Sequence, residues 1–245
     1  MFLEIFKNKK PILGMLHLKG ENPEEKLKKT TIEADIYAEC GVDAMIVEDY
    51  YGDQTDVENA LAHLSTERPQ YIIGVNVLDN FAKSYELALQ YRAKFIQVDS
   101  VCGHLHPDDE RGYFEMIDGY RRDNKISVIG GVRFKYQPYL SNRSLREDLE
   151  IGMKHCDAIA VTGAGTGIDT DTEKIRQFRE IIGDFPLVIG AGMTRETIKE
   201  KLSIGDAAIV GSTFKDTRKD SGDVSAEHVI DFMEEVRRCF RWNNS

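Results

Sequence analysis

The chain has 245 residues, 41% of them hydrophobic; that is enough for one full core, and no Pro- or Ser-rich linker interrupts it, so residues 1–245 read as one domain. Its 32 Lys+Arg against 42 Asp+Glu leave a net charge of -10, which repels phosphate backbones over long range and argues against nucleic acid as a partner. The opening "MFLEIFKNKK" places its lysines after the apolar stretch, the wrong polarity for a signal peptide, and no run approaches the roughly 18 apolar residues that span a bilayer, so the expected location is the cytoplasm.

Eight short apolar runs follow one another along the chain: 12–17, 44–48, 71–77, 94–99, 126–131, 158–162, 187–190 and 207–211. Longer stretches such as "EEKLKKTTIEADIYAEC", "NFAKSYELALQYR" and "TEKIRQFREII" separate them, with apolar residues at three- and four-residue spacing. "AEHVIDFMEEVRRCF" supplies an eighth helix. This alternation predicts parallel βαβ units, and eight of them in a chain this long fit a (β/α)8 TIM barrel. A doubly wound open sheet is the alternative.

An internal echo supports the barrel. "GVDAMIVED", "HCDAIAVTG" and "IGDAAIVGS" each place an aspartate (Asp43, Asp157, Asp206) ahead of a strand, at positions that would be strands two, six and eight. Those aspartates lie on the face opposite the chemistry and read as cap or loop residues.

In a barrel the loops after the strands form the active face, and phosphate often sits after the seventh and eighth. Gly190 and Gly192 follow strand seven, and Gly211 and Ser212 follow strand eight. Bare backbone there lets N–H groups approach an anion, with a helix starting near Thr194 behind them. The bland reading is that these glycines only make tight turns. A third loop, "VTGAGTGIDTD", follows strand six and places Gly163 and Gly165 where they could close over a ligand, or merely connect two elements. Its "GAGTG" matches neither nucleotide-loop pattern.

Polar residues at strand ends are the candidates for chemistry. They are His17, Glu48, Asn76 and Asp99 on the first four strands, with Arg133 and Lys135 after the fifth. A dry barrel mouth would raise the pKa of Glu48 and make it a proton shuttle near neutral pH. Lys135 could pair with Asp99, hold an anionic substrate, or act through its amine. His17 and Asn76 could equally be packed, hydrogen-bonded residues. His104 and His106 form a nonspecific HxH pair, and no metal or other cofactor is expected. Cys40, Cys102, Cys156 and Cys239 show no CxxC spacing and read as reduced structural thiols.

"PILGMLHL", "GVDAMIVEDYYGD", "GVNVL", "DAIAVTGAGTG", "VIGAGMT" and "DAAIVGSTFK" together resemble, in order, motifs of the BtpA/SgcQ family of (β/α)8 barrels. The resemblance implies a barrel like those that bind ribulose phosphate. One branch of that family is associated with photosystem I accumulation, another with sugar-uptake operons. Glu48, Asn76 and Lys135 match the family pattern. The stretch "IGGVRFKYQP" departs from it, keeping Lys135 but placing Gly130, Arg133 and Tyr136 where an aspartate and histidines usually stand, and "KGENPEE" replaces a proline-rich loop.

The reading that follows is an enzyme for a small phosphorylated metabolite such as a sugar phosphate, a lyase, isomerase or hydrolase. Glu48 is its acid/base, Lys135 and Asn76 polarise a carbonyl or hydroxyl, and His17 assists. One rival is a non-catalytic assembly or regulatory factor that binds a partner through surfaces such as the last helix around Phe232 and Phe240. A second is a flavin phosphate binder. Phe232, Met233, Val236 and Phe240 could face the barrel or a second subunit in a homo-oligomer, and helical spacing does not distinguish the two.

Overall fold

Each apolar run forms a strand buried on both faces, as continuous Val/Ile/Leu/Ala segments require when helices cover one side and a barrel interior the other. The computed structural model describes residues 2–122 and 126–241. Its strands are β1 (Ile12–Leu16), β2 (Ala44–Glu48), β3 (Ile73–Asn76), β4 (Phe95–Cys102), β5 (Ser127–Val132), β6 (Ala158–Val161), β7 (Leu187–Ile189) and β8 (Ala207–Val210). The helices between and after them are α1 (Pro23–Cys40), α2 (Gln54–Glu67), α3 (Phe81–Gln90), α4 (Pro107–Arg121), α5 (Leu145–His155), α6 (Thr172–Ile182), α7 (Ile198–Ile204) and α8 (Ala226–Phe240). Neighbouring strands pair in parallel, and β8 returns to β1 with Leu13 opposite Ile209. That pairing closes the barrel and removes the open-sheet alternative. No helix among the described residues is long and apolar enough to cross a membrane.

Two apolar layers hold the barrel. Leu13, Met15, Ala44, Ile46, Phe95, Ile129, Val188 and Ile209 fill its interior, while the opposite strand faces pack on the helices. A 3-10 turn, Phe2–Ile5, closes the floor. Phe2 and Phe6 meet Phe95 edge-on, with ring centroids 5.9 and 6.3 Å away. Room for the Phe95 ring comes from Gly74, where a Cβ would lie 2.2 Å from Cε2 of that ring.

The three echoed aspartates share one device at the barrel floor. Asp43 accepts from the Ile12 amide at 2.8 Å, Asp157 from Val128 at 2.8 Å and Asp206 from Leu187 at 3.0 Å. Each ties the start of the preceding strand to its own, and each also takes an arginine: Arg241, Arg121 and Arg179 respectively.

The structure departs from the sequence reading at several points. β4 runs past Asp99 to Cys102, with a shift in its register against β5 between Val98 and Cys102. The helix expected near Thr194 begins as a 3-10 turn, Arg195–Thr197, before α7. Phe232 is no surface group: it is 1% exposed and packs its ring 5.2 Å from Phe214, because the apolar stripe of α8 faces the barrel.

Candidate functional site

Side chains alternate along a strand, so the parity of the interior layer fixes what rises to the C-terminal mouth. Above Met15 comes His17, above Ile46 comes Glu48, above Gly74 comes Asn76, and above Phe95 come Gln97 and then Asp99. The same parity on the other four strands leads to Gly131, Thr162, Gly190 and Gly211. Half the mouth is therefore polar side chains and the other half is nearly bare backbone.

The polar half is wired together. Asn76 Nδ2 donates to Glu48 Oε1 at 2.8 Å and reaches Asp99 Oδ1 at 3.5 Å. Burial, reinforced by the charge of Asp99, pushes the Glu48 carboxyl up to about 8; it is a protonated acid at neutral pH. Burial, with the Lys215 cation nearby, holds the His17 imidazole down to about 3. The 3.7 Å approach of His17 Nε2 to Glu48 Oε2 thus joins a neutral ring to a neutral acid. Burial also raises Asp99. Tyr50 tilts over His17, with centroids 4.9 Å apart, and screens it from solvent.

Lys135 arrives from the loop after β5. Its Nζ donates to Thr166 Oγ1 at 3.0 Å, and its amide to Thr162 Oγ1 at 3.0 Å. The anticipated pairing with Asp99 is replaced by this grip on the loop after β6. The Thr166 amide donates to the Tyr136 hydroxyl at 2.9 Å, adding a further fastening.

One cavity joins the two halves. His17, Glu48, Gln97 and Lys135 line one side, and Gly190, Gly192, Gly211 and Ser212 the other. Thr166 and Gly167 border it from the β6 loop. With that loop down, about 40 Å3 is open to a water-sized molecule, room for a few waters. Gly192 has φ +68°, and a Cβ there would lie 2.1 Å from the Ile168 carbonyl oxygen, so only glycine fits. Gly211 differs: with φ -117°, its added Cβ would meet His17 Cε1 at an ordinary 3.4 Å.

The structure brings His17, Glu48, Lys135, Gly190, Gly192, Gly211 and Ser212 to this cavity. Asn76 and Asp99 stand behind it as partners of Glu48 and Gln97. Gly163 and Gly165 do not line it: a Cβ on the first would strike the Asp169 carbonyl oxygen at 2.5 Å and on the second the Tyr136 hydroxyl at 2.8 Å. Arg133 turns away, donating to the fully buried Asp148 at 3.0 Å. Asp148 also takes Arg143 and Ser141, and Arg143 grips Glu110 with both terminal nitrogens. This network pins the loops after β4 and β5. His104 packs its ring 5.1 Å from Tyr113.

Sequence reading missed Gln97 as a cavity residue, whereas the polar stretch after strand two, "DYYGDQTD", reads as shaping the pocket and includes Tyr50. Gln97 carried a usable signal, a lone amide in "KFIQVDS" two residues before Asp99 and hence on the same strand face. Tyr50 lies in a loop, where no periodicity fixes direction.

Residues 8–238 match the BtpA family. An uncharacterized protein of Methanocaldococcus jannaschii is 26% identical over 259 residues, covering 94% of this chain and 98% of its own. The sgc region protein SgcQ of Escherichia coli is 29% identical over 176 residues, covering 69% of this chain and 65% of its own. Among solved structures, phosphoribosyl anthranilate isomerase from Thermus thermophilus superposes with a TM-score of 0.63 at 13% identity, covering 93% of this chain and 98% of that one.

Proposed function

The chain belongs to the BtpA family, and we propose that the barrel mouth of this member is the active site of an enzyme acting on a small phosphorylated metabolite of the sugar-phosphate class. One observation carries the reading: a single cavity joins the backbone of Gly190, Gly192, Gly211 and Ser212 to the buried carboxyl of Glu48. The first group suits a phosphate, whose oxygens accept from backbone N–H groups without a basic side chain; Gly190, whose own amide donates to the Val161 carbonyl, contributes room for the approach. The second suits a general acid, since a group that titrates at about 8 holds its proton at neutral pH yet gives it up readily. A structural neighbour named for a phosphoribosyl substrate uses the same fold, which adds weight to this class.

Within this reading the phosphate anchors the ligand on the β7 and β8 loops, and the reacting oxygen lies against Glu48. Glu48 delivers its proton to that oxygen, with the neutral imidazole of His17 next in line to exchange it. The Lys135 ammonium stabilises negative charge that develops there, and Asn76 fixes the rotamer of Glu48. Admission of such a ligand requires the β6 loop to lift, breaking the bonds of Thr166 to Lys135 and Tyr136.

A thermal-shift screen in phosphate-free buffer tests this, using sugars and nucleosides each with and without phosphate. A ligand at about 100 times its dissociation constant adds about 2.7 kcal/mol of stability. Stabilisation restricted to phosphorylated members is the expected result. Equal response to both members of every pair would remove the anion site and with it the proposed substrate class.

A further inference from the structure

Gln97 stands apart from the other polar groups of the mouth. It lies on β4, opposite β8 across the eight-stranded barrel, and is 4% exposed. Its amide nitrogen faces the carboxylate of Asp99, Nε2 to Oδ1 at 3.4 Å. That contact sets the orientation of the amide, because the flipped form would press oxygen against oxygen. The carbonyl oxygen is consequently directed elsewhere, and Oε1 has no hydrogen-bond partner although it is buried.

An unpaired buried acceptor costs free energy, and such atoms are rare in folded proteins unless something else satisfies them. One on a residue that lines the cavity of a strand-end mouth marks where a ligand makes a hydrogen bond. An amide oxygen can only accept, so its complement is a hydroxyl or amine hydrogen and not a carboxylate, a carbonyl or an apolar carbon. A protonated amine would also be drawn to Asp99, but the glycine loops opposite call for a phosphate at the other end of the same molecule. Sugar hydroxyls supply the donor with no added charge.

We infer that Gln97 is the specificity-determining residue of the mouth: its Oε1 accepts a hydroxyl of the ligand at the end remote from the phosphate, so that the preferred ligand is a polyhydroxylated phosphate ester. This rests on the phosphorylated-metabolite reading above and goes further by fixing the chemistry of the distal end. It also assigns Gln97 a different task from Asn76. Asn76 spends its amide nitrogen on Glu48 and supports a protein group, whereas the Gln97 oxygen is left without a protein donor.

The test is a titration of wild-type protein and of Gln97→Leu with four probes: inorganic phosphate, D-ribose 5-phosphate, its 2-deoxy analogue and unphosphorylated ribitol. Far-UV circular dichroism and a thermal melt check folding, and Gln97→Glu, which retains an acceptor, is run beside it. The expected result is that wild-type protein binds ribose 5-phosphate more tightly than inorganic phosphate. Gln97→Leu then loses about tenfold towards the sugar phosphate, the size of one hydrogen bond, and keeps its affinity for inorganic phosphate within about twofold. Gln97→Glu retains more of the preference than Gln97→Leu does. The deoxy probe completes a cycle with the variant: a loss of binding on removal of that hydroxyl in wild type, absent in Gln97→Leu, places the hydroxyl on Gln97. Failure of inorganic phosphate to bind, with ribitol affinity still dependent on Gln97, removes the phosphate reading and leaves the hydroxyl site standing. Hydroxylated probes that bind wild type and Gln97→Leu equally overturn the inference, whatever inorganic phosphate does.

Discussion

Replacing Glu48 by Gln should change how stability depends on pH, and the size of the effect follows from the two buried titrating groups at the mouth. Glu48 has an ordinary value of 4.5 and a folded value of about 8, so the folded state holds its proton more tightly. The stability this contributes is complete below 4.5 and is lost as pH rises through 8. His17 runs the other way: folding lowers it from 6.5 to about 3, so the neutral ring costs stability in acid, and the cost disappears as pH rises past 6.5. Between pH 5 and 7 the Glu48 contribution falls by about 2.5 kcal/mol while that of His17 recovers about 2 kcal/mol. Their sum is nearly flat. From pH 7 to 9 only Glu48 still changes, removing about another 1.4 kcal/mol. Glu48→Gln deletes the falling limb, so the variant should gain stability from pH 5 to 7 and hold level to pH 9, against the background of all other groups. Urea denaturation of both proteins at pH 5, 7 and 9 gives the comparison. The difference between the two proteins, wild type minus variant, should shrink by about 4 kcal/mol across that range. Parallel profiles would mean that Glu48 is not a buried protonated acid, and the acid role would fall with it.

The same variant, once a substrate is in hand, should lose at least about a hundredfold in turnover while its affinity for inorganic phosphate stays within about twofold; wild-type turnover should decline above pH 8 as Glu48 ionises, and full turnover in the variant would exclude it as the acid. Gly192→Ala, forced into a left-handed conformation and onto the Ile168 carbonyl, should cost about 2 kcal/mol or more of stability, read from the thermal midpoint. Gly211→Ala has space for its methyl and should melt within about 1 kcal/mol of wild type yet bind phosphate more weakly; unchanged phosphate binding would detach that loop from the anion site. Asp148→Ala leaves Arg133 and Arg143 without their shared carboxylate and should destabilise by about 3 kcal/mol, measurable by chemical denaturation.

Much of the barrel was legible because parallel strands with both faces buried must be apolar throughout, and each such run is bracketed by helical periodicity. The aspartate echo was visible for a related reason: the same local task, tying a strand start to its neighbour, recurs three times in one closed sheet. Glu48, His17 and the glycines after β7 and β8 could be singled out since strand ends of a barrel converge on one mouth. What sequence could not supply was the direction of loop side chains. Arg133 and Lys135 lie two residues apart, yet one turns to Asp148 and the other to Thr166, a choice made by partners distant in the chain. Gly163 and Gly165 looked like ligand-facing backbone, but the space they open is filled by the Asp169 carbonyl and by Tyr136. Gln97 was harder to read because Asp99 is the last polar residue of its strand, whereas the interior face continues downward at every second position.

The division of the mouth into a polar arc and a bare one coincides with the order of the chain. His17, Glu48, Asn76, Gln97 and Asp99 all precede β5, and Gly131, Thr162, Gly190 and Gly211 all follow β4. Under the proposed function the protein is two half-barrels with separate trades, one reactive and one cradling. A chimera joined between β4 and β5 would exchange one trade while keeping the other, so a half-barrel from a relative could bring new chemistry to the same anchored ligand. Lys135 grips Thr166 and so stays within the second half, whereas Arg143 on Glu110 and Lys215 on Glu33 cross the boundary, and those are contacts such a chimera would have to preserve.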